Sequence, residues 1–435
     1  MINSSTSEYY RNYHGAYLCE YLKSTNKQDK CLKTILSIFI VTLLIASIII
    51  AKPIFALENT NEIKLANTEN SIYIQKNFEE NIKNKYPGSY INFPTKGVAH
   101  IKQVKYINSK PIKINIVELN TKVNPNLKIK PQIASKKLNS KTTVRRIAQK
   151  EQAIIAINGG FFKPQTGVPL GALMIDGEVL SGPIFNRVGI AIFEKRNETN
   201  FMMDKISFDI KALTKNLTIN IDNINQPRML STHTLIYTSV WGDFSPIAPK
   251  YGYNMLIRNG EILKISANPI KLDKNDYVIQ APKEIISKLA KNNKKINIEI
   301  KLQEHLKDAD HIIGAGPYLV KNSEIYVDFK EQKLHAISGK NPRSAIGYKN
   351  DGTFIIVTID GREKASVGMT LYELAKLMKK LDCEYAMNFD GGSSSAMYVK
   401  GKIVNSAVNK EGIAVSNALV VSEFNPNEMQ LSSLN

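Results

Sequence analysis

The chain has 435 residues, 43% hydrophobic and 22% charged, ample material for one large core or two modest ones. Its formal net charge is +19, yet the lysines are scattered through polar segments as on an ordinary solvated surface. No basic stripe with interleaved aromatics is present, which argues against nucleic acid as a partner; attraction to anionic envelope polymers stays open.

Residues 1–33 form a short polar segment, followed by the uncharged run Thr34–Ala51 between Lys33 and Lys52. At ~1.5 Å per residue this run reaches about 27 Å, against a hydrocarbon core of roughly 30 Å. It is expected to be a transmembrane helix that anchors the chain in a membrane. Arg11, Lys23, Lys27, Lys30 and Lys33 would keep the N-terminus in the cytosol and place the remainder outside. The alternative is a signal peptide cut after Ala56 and a secreted protein. On either route Cys19 and Cys31 stay behind and Cys383 is alone, so neither a disulfide within the domain nor a cysteine-based metal site is expected. Cys383, at the end of a helical pattern, reads as packing.

Residues 52–95 are rich in Asn, Lys and Glu, with one weakly helical stretch at Ile72–Ile82, and read as a stalk. Residues 96–425 are expected to form the globular domain, and 426–435 a tail. Ile112–Leu119 alternates apolar and polar residues, the period of a half-buried strand. Thr142 or Thr143 can cap a short helix carrying Val144, Ile147 and Ala148, which feeds a buried strand at Ala153–Ile157. Leu173–Leu180 reads as a hairpin turning at Asp176-Gly177. Residues 195–310 are less regular, with a helix at Lys283–Lys291 and room for an inserted β lobe. Phe354–Ile359 is a further buried strand. Thr370 and Glu373 stand in capping-box order ahead of the stripe Leu371, Leu374, Ala375, Leu377, Met378 and Leu381. The strand Tyr385–Phe389 follows, then a hairpin beginning at Met397–Ile403 and turning at Lys400-Gly401. Repeated strand–helix–strand units predict an α+β fold, a mixed α/β sheet with much antiparallel pairing.

Three segments share one design. Ala156-Ile-Asn-Gly-Gly-Phe-Phe162, Asn341-Pro-Arg-Ser-Ala-Ile-Gly347 with Thr358-Ile-Asp-Gly-Arg362, and Tyr385-Ala-Met-Asn-Phe-Asp-Gly-Gly-Ser-Ser-Ser-Ala-Met-Tyr398 each set polar groups and glycines at a strand boundary. Gly391 and Gly392 lack a Cβ, so backbone N–H groups there can turn toward an anion. Asn186-Arg187 echoes Arg343 in placing an arginine just before a strand. An Asp-Gly pair alone would be only turn chemistry. Three such segments together point to an active site.

In order along the chain these segments, with the helix motif GMTLYELAKLM, resemble the phosphodiester glycosidase family over about Val98–Val421. The resemblance implies hydrolysis of the bond between a sugar's anomeric carbon and a phosphate, in envelope or exported glycans or in a small sugar phosphodiester. Phosphate is a good leaving group, its second pKa lying near 6. The remaining work is charge stabilisation at the phosphate and a carboxylate at the sugar. Arg343 is the expected phosphate clamp, since a guanidinium fork matches two phosphate oxygens. Arg362 and Arg187 are further candidates, and Gly392, Ser393 and Ser394 would add donors beside Gly391. Asp390 is the expected acid at the anomeric centre and Asp360 a second. Asn158, with Gly159 and Gly160, and Asn388 would contact the sugar or support a metal. His233, His305, His311 and His335 lack ligand spacing, so zinc is not expected; oxygen ligands from Asp360, Asp390 or Asn158 would suit Mg²⁺ or Ca²⁺. A non-catalytic module binding phosphorylated polysaccharide, or a phosphodiesterase attacking phosphorus, would use the same loops.

Overall fold

The computed structural model describes residues 39–43, 71–195, 198–292, 295–406, 408–409 and 411–424. The chain divides into two units, Met1–Ile74 and Gln75–Asn435. In the first, the described residues 39–43 and 71–74 are helical. Among the described residues no helix is long and apolar enough to cross a membrane. This corrects the expected anchor at 34–51, and with it the membrane as partner and the membrane-anchored location. The rest of that run, and Ala56, lie outside the described residues.

The second unit is mostly β, its sheets set in a propeller-like ring. It opens with helical residues 75–85, among which Ile82 is buried; Tyr86, just past them, is buried too, and the strand Tyr90–Thr95 follows. The last part of the expected spacer is thus built into the fold. An eight-stranded sheet runs in the order Tyr90–Thr95, Val98–Ile107, Lys110–Leu119, Phe354–Ile359, Arg343–Tyr348, Tyr385–Asn388, Tyr318–Lys321, Glu324–Ile325. Its neighbours pair antiparallel throughout. A second sheet orders Lys402–Ile403, Met397–Val399, Ile155–Asn158, Asn417–Glu423 and Leu127–Ile133. One core joins them: Val117, Ile356 and Met387 of the first sheet pack with Ile157, Leu419 and Val421 of the second. The first sheet's other face is closed by Leu371, Leu374, Ala375 and Met378 of helix Leu371–Lys380, and by Ile82 and Tyr86.

The α+β expectation is corrected for a physical reason. The helical stripes are real, but helix Leu371–Lys380 does not join adjacent parallel strands. Strands Phe354–Ile359 and Tyr385–Asn388 flank Arg343–Tyr348, and each pairs antiparallel with it. A strand–helix–strand order in sequence therefore yields an antiparallel neighbourhood in space. Local chemistry behaved as read: Thr143 caps Val144–Lys150, and Thr370 with Glu373 forms the capping box. Leu173–Ile175 pairs with Glu178–Ser181 across Asp176-Gly177.

Residues 208–302 build a separate lobe. It contains a three-stranded sheet, a five-stranded sheet and helix Lys283–Asn292, around a core of Ile210, Ile236, Met255, Ile279 and Leu289.

Candidate functional site

Strands Ile155–Asn158 and Tyr385–Asn388 belong to different sheets, and both end at the seam between them. Asn158, fully buried, ties the seam together. Its Nδ2 donates to the Asp390 carbonyl at 2.6 Å, while its Oδ1 accepts from Ser344 Oγ at 2.7 Å and Ala396 N at 3.1 Å. Asp390 N in turn donates to the Gly159 carbonyl at 3.1 Å, and Gly392 N to the Pro342 carbonyl at 2.9 Å. The three sequence segments thus meet through direct hydrogen bonds. Glycine is required at two of these positions. A Cβ on Gly160 would sit 2.4 Å from the Gly314 carbonyl oxygen, and Gly392 has φ +61° beside the Arg362 guanidinium.

Asp390 is half-buried. Burial raises its carboxyl to a pKa of about 6, although hydrogen bonds from Ser394 and Gly391 N pull the other way. Asn388 Nδ2 donates to the Gly316 carbonyl at 3.0 Å, and its buried Oδ1 has no partner among the described residues; Ser395 Oγ is in the same condition.

The three arginines differ sharply. Arg343 is 1% exposed, and its fork is filled from within: Nε donates to Met369 O at 2.9 Å, and Nη2 to Ile337 O at 2.7 Å and to Gly339 O. Burial, then the Arg362 charge, lowers its pKa to about 10. Arg362 is exposed, with φ +63°, and bridges Asn341 Oδ1 at 2.8 Å and Ser393 Oγ at 3.4 Å. Arg187 is 8% exposed and lies 4.9 Å from the Phe161 ring and 5.3 Å from that of Phe185. Its Nε has no partner among the described residues, and its pKa is lowered to about 10 by burial. Among the described residues neither Arg187 nor Arg362 has a carboxylate within ion-pair distance.

Asp360 is 3% exposed; its Oδ1 accepts from Ser406 N at 2.9 Å, and burial raises its pKa. It lines a cleft of about 630 Å³ with Lys102, Lys113, Asn115 and Asn405. Asn405 connects this cleft to the seam by donating to Ser395 O at 3.0 Å and accepting from Met397 N at 2.7 Å. A hard cation fits poorly here: Asn158 Oδ1 already accepts two bonds, and no group of three His, Cys, Asp or Glu suited to a metal ion occurs among the described residues.

Sequence reasoning passed over Ser344, Asn417 and Thr358. Asn417 Oδ1 accepts from Gly160 N at 2.9 Å, and Ser344 lies one residue beyond the arginine that drew attention. The sequence signal for each was a polar residue set against an apolar run, Ser344 beside Arg343 and Asn417 at the head of its strand.

Residues 236–422 match the phosphodiester glycosidase family, so the resemblance drawn from the motifs is borne out there. The block contains Arg343, Asp360, Arg362 and Asp390, while Asn158 and Arg187 precede it. A 130-residue stretch, 30% of this chain, is 33% identical to the SPbeta prophage-derived protein YomE of Bacillus subtilis. A 106-residue stretch, 22% of this chain, is 23% identical to mouse N-acetylglucosamine-1-phosphodiester alpha-N-acetylglucosaminidase. Each match covers about a fifth (20%) of the relative's own length. A crystal structure of a hypothetical protein from Synechocystis shares the fold, with a TM-score of 0.71 at 21% identity over 78% of this chain and 64% of that one.

Proposed function

We propose that the chain is a hydrolase of sugar-1-phosphodiester bonds, with Asp390 acting at the anomeric carbon. The observation that carries this reading is the seam itself. A carboxylate with a pKa of about 6 is held where two glycine-rich turns meet, beside an exposed guanidinium with no acid partner among the described residues. The family match at residues 236–422 and the name of the mouse relative support the same chemistry.

The roles are assigned from geometry. Arg362, with Ser393 and Ser394, would receive the phosphate, since donors aimed at developing charge are the largest catalytic term. Arg187 would offer a second positive site, backed by Phe161 and Phe185. Arg343 acts through the loop it holds: with its fork occupied by three carbonyls, it positions residues 337–342 beside Gly392. Asn158 fixes the Asp390 backbone. Asp360, on the cleft wall, is the second acid.

The phosphate leaves as a weakly basic dianion and needs little protonation. Asp390 therefore serves as nucleophile or as base toward water, roles that require its ionised form. The test is turnover of a UDP-linked sugar or a chromogenic sugar-1-phosphodiester by the full chain and by Asp390→Asn. Hydrolysis in ¹⁸O-water should label the sugar; label on phosphate would overturn attack at carbon. Tight binding of such diesters without any turnover would replace the enzyme with a binding module.

A further inference from the structure

The cleft beside Asp360 has more surface than one scissile bond needs, and the sheet register shows where that surface leads. Directly opposed residues of paired strands share a face. Tyr90 opposes Lys102, Lys102 opposes Asn115, Asn115 opposes Thr358, and Thr358 opposes Ser344. Five adjacent strands therefore lay down one row of side chains from the sheet edge to Ser344, whose hydroxyl holds Asn158.

The row changes character along its length. At its inner end Thr358 is fully buried, and its Oγ1 has no partner among the described residues. Asn115 Oδ1 lies 3.2 Å from His100 Nε2; burial keeps that ring neutral, so Nε2 carries the proton and the Asn115 amide NH₂ is left as a donor on the cleft wall. At the outer end Tyr90 is 61% exposed with Lys102 Nζ 5.7 Å from its ring centroid. Val104 and Tyr106 continue the same face at two-residue spacing, 57% and 71% exposed. Lys113 opposes Val104 and carries an ion pair to Glu363, whereas Lys102 has no acid partner among the described ion pairs.

An exposed strip of tyrosines and lysines opening into a polar cleft matches one chemistry. Sugar rings present flat apolar faces to tyrosine, and a phosphate between sugars meets an unpaired ammonium. We propose that this cleft and strip form a second subsite that takes the neighbouring repeat of a polymeric substrate, a chain of sugars linked through phosphate. The inference rests on the hydrolase reading for the scissile bond and adds what lies beyond it. Lys102 receives the next phosphate, Tyr106 and Tyr90 the sugar faces, and Asn115 a hydroxyl or phosphate oxygen.

The test uses calorimetry on the full chain with three probes: a tetramer of N-acetylglucosamine joined by 1-phosphodiester links, the single methyl diester, and uncharged chitotetraose. The tetramer should bind at least ~10-fold tighter than the single diester, with a steeper salt dependence. A Tyr90→Ala/Tyr106→Ala double variant, altered only at exposed side chains outside the cleft lining, should lose that margin while binding and cleaving the single diester as before. A tetramer that binds no tighter than one unit, a variant that keeps the margin, or chitotetraose binding as well as the tetramer would each overturn the subsite. Turnover of the single diester reports separately on Asp390. Absence of all cleavage with the margin intact removes the hydrolase reading and leaves the subsite standing.

Discussion

In the lobe built from residues 208–302, buried polar side chains are matched almost atom for atom. Arg258 grips both oxygens of Asp276 at 2.8 Å, and Gln280 Nε2 donates to Asn254 Oδ1 at 2.9 Å, whose own amide nitrogen donates to the Asn268 and Pro246 carbonyls. Around the seam the pattern reverses: Thr358 Oγ1, Asn388 Oδ1, Ser395 Oγ and Arg187 Nε are buried without partners among the described residues. The lobe has one such atom among its described residues, Gln226 Oε1, where that side chain reaches Ser181 and Gly182. Unpaired buried groups cost free energy, so selection tolerates them where a ligand completes them. The lobe spends its polar groups on stability, the seam on readiness for a substrate.

The largest break in that contrast is Asp390→Asn. It should lower kcat on a sugar-1-phosphodiester by about 10³-fold, on the order of 4 kcal/mol. It should also stabilise the protein above pH 6. Burial raises the folded pKa to about 6 from the ordinary carboxylate value, so the native carboxyl holds its proton longer than the unfolded one. Stability is then full below about pH 4 and falls as pH rises to about 6, a loss of roughly 3 kcal/mol. Asn lacks this term. Melting curves at pH 4 and pH 8 should separate native and variant only at the higher pH. The native activity profile should show an acid limb near pH 6; a profile flat from pH 5 to 8 would count against an ionised Asp390.

Arg362→Ala comes next, with a loss of roughly 10²-fold in kcat, about 3 kcal/mol, and an unchanged Tm because the side chain is exposed. Arg343→Ala sharpens the point. It vacates the carbonyls of Ile337, Gly339 and Met369, so activity and Tm should fall together. A Tm unaltered in Arg343→Ala would return that residue to the phosphate itself.

His100 carries the next effect, again on the sheet that bears the site. Burial lowers its pKa to about 4. The folded state therefore excludes a proton that the unfolded chain binds from about pH 6.5 downward. Stability is full above that pH and declines by roughly 3 kcal/mol as pH falls toward 4. His100→Gln, which keeps a donor for Asn115, should flatten this acid slope in denaturant titrations at pH 7 and pH 4.5. An equally steep slope in the variant would assign the acid sensitivity elsewhere.

How much of this was readable before folding depends on the range of the forces involved. Caps and turns are local, so Thr143, Thr370-Glu373 and Asp176-Gly177 were evident from neighbours a few residues away. The glycine-rich strand ends were evident too, because their composition has no cheap alternative explanation. Partner choice is not local. Nothing near Arg343 reveals that carbonyls 26 residues later and 4 to 6 residues earlier fill its fork, or that Arg187 lies between two phenylalanines. The lobe was opaque for another reason: strand Glu261–Ser266 buries none of its residues, so no alternation marks it. Sheet membership was equally hidden, since Asn158 and Asn388 end strands of similar composition in different sheets.

The smallest expected effect on activity belongs to the lobe and checks the contrast from its other side. Arg258 pairs with Asp276, whose side chain is fully buried, and with the half-exposed Asp273. Its hydrogen bonds, with that from Asp273 N and its charge, hold the Asp276 carboxyl below the usual carboxylate range. Arg258→Ala leaves that carboxylate buried with only the Asp273 backbone N–H at 2.9 Å to oppose it. The Tm should fall, and the more so at neutral pH than at acid pH, where Asp276 can protonate. With folded protein as substrate for the assay, kcat and KM on a single diester should match the native values. Double substitution Asp276→Asn/Arg258→Ala should recover part of the lost Tm by removing the stranded charge. A variant that keeps its Tm but loses turnover would mean the lobe takes part in catalysis, and the division of labour between lobe and seam would have to be abandoned.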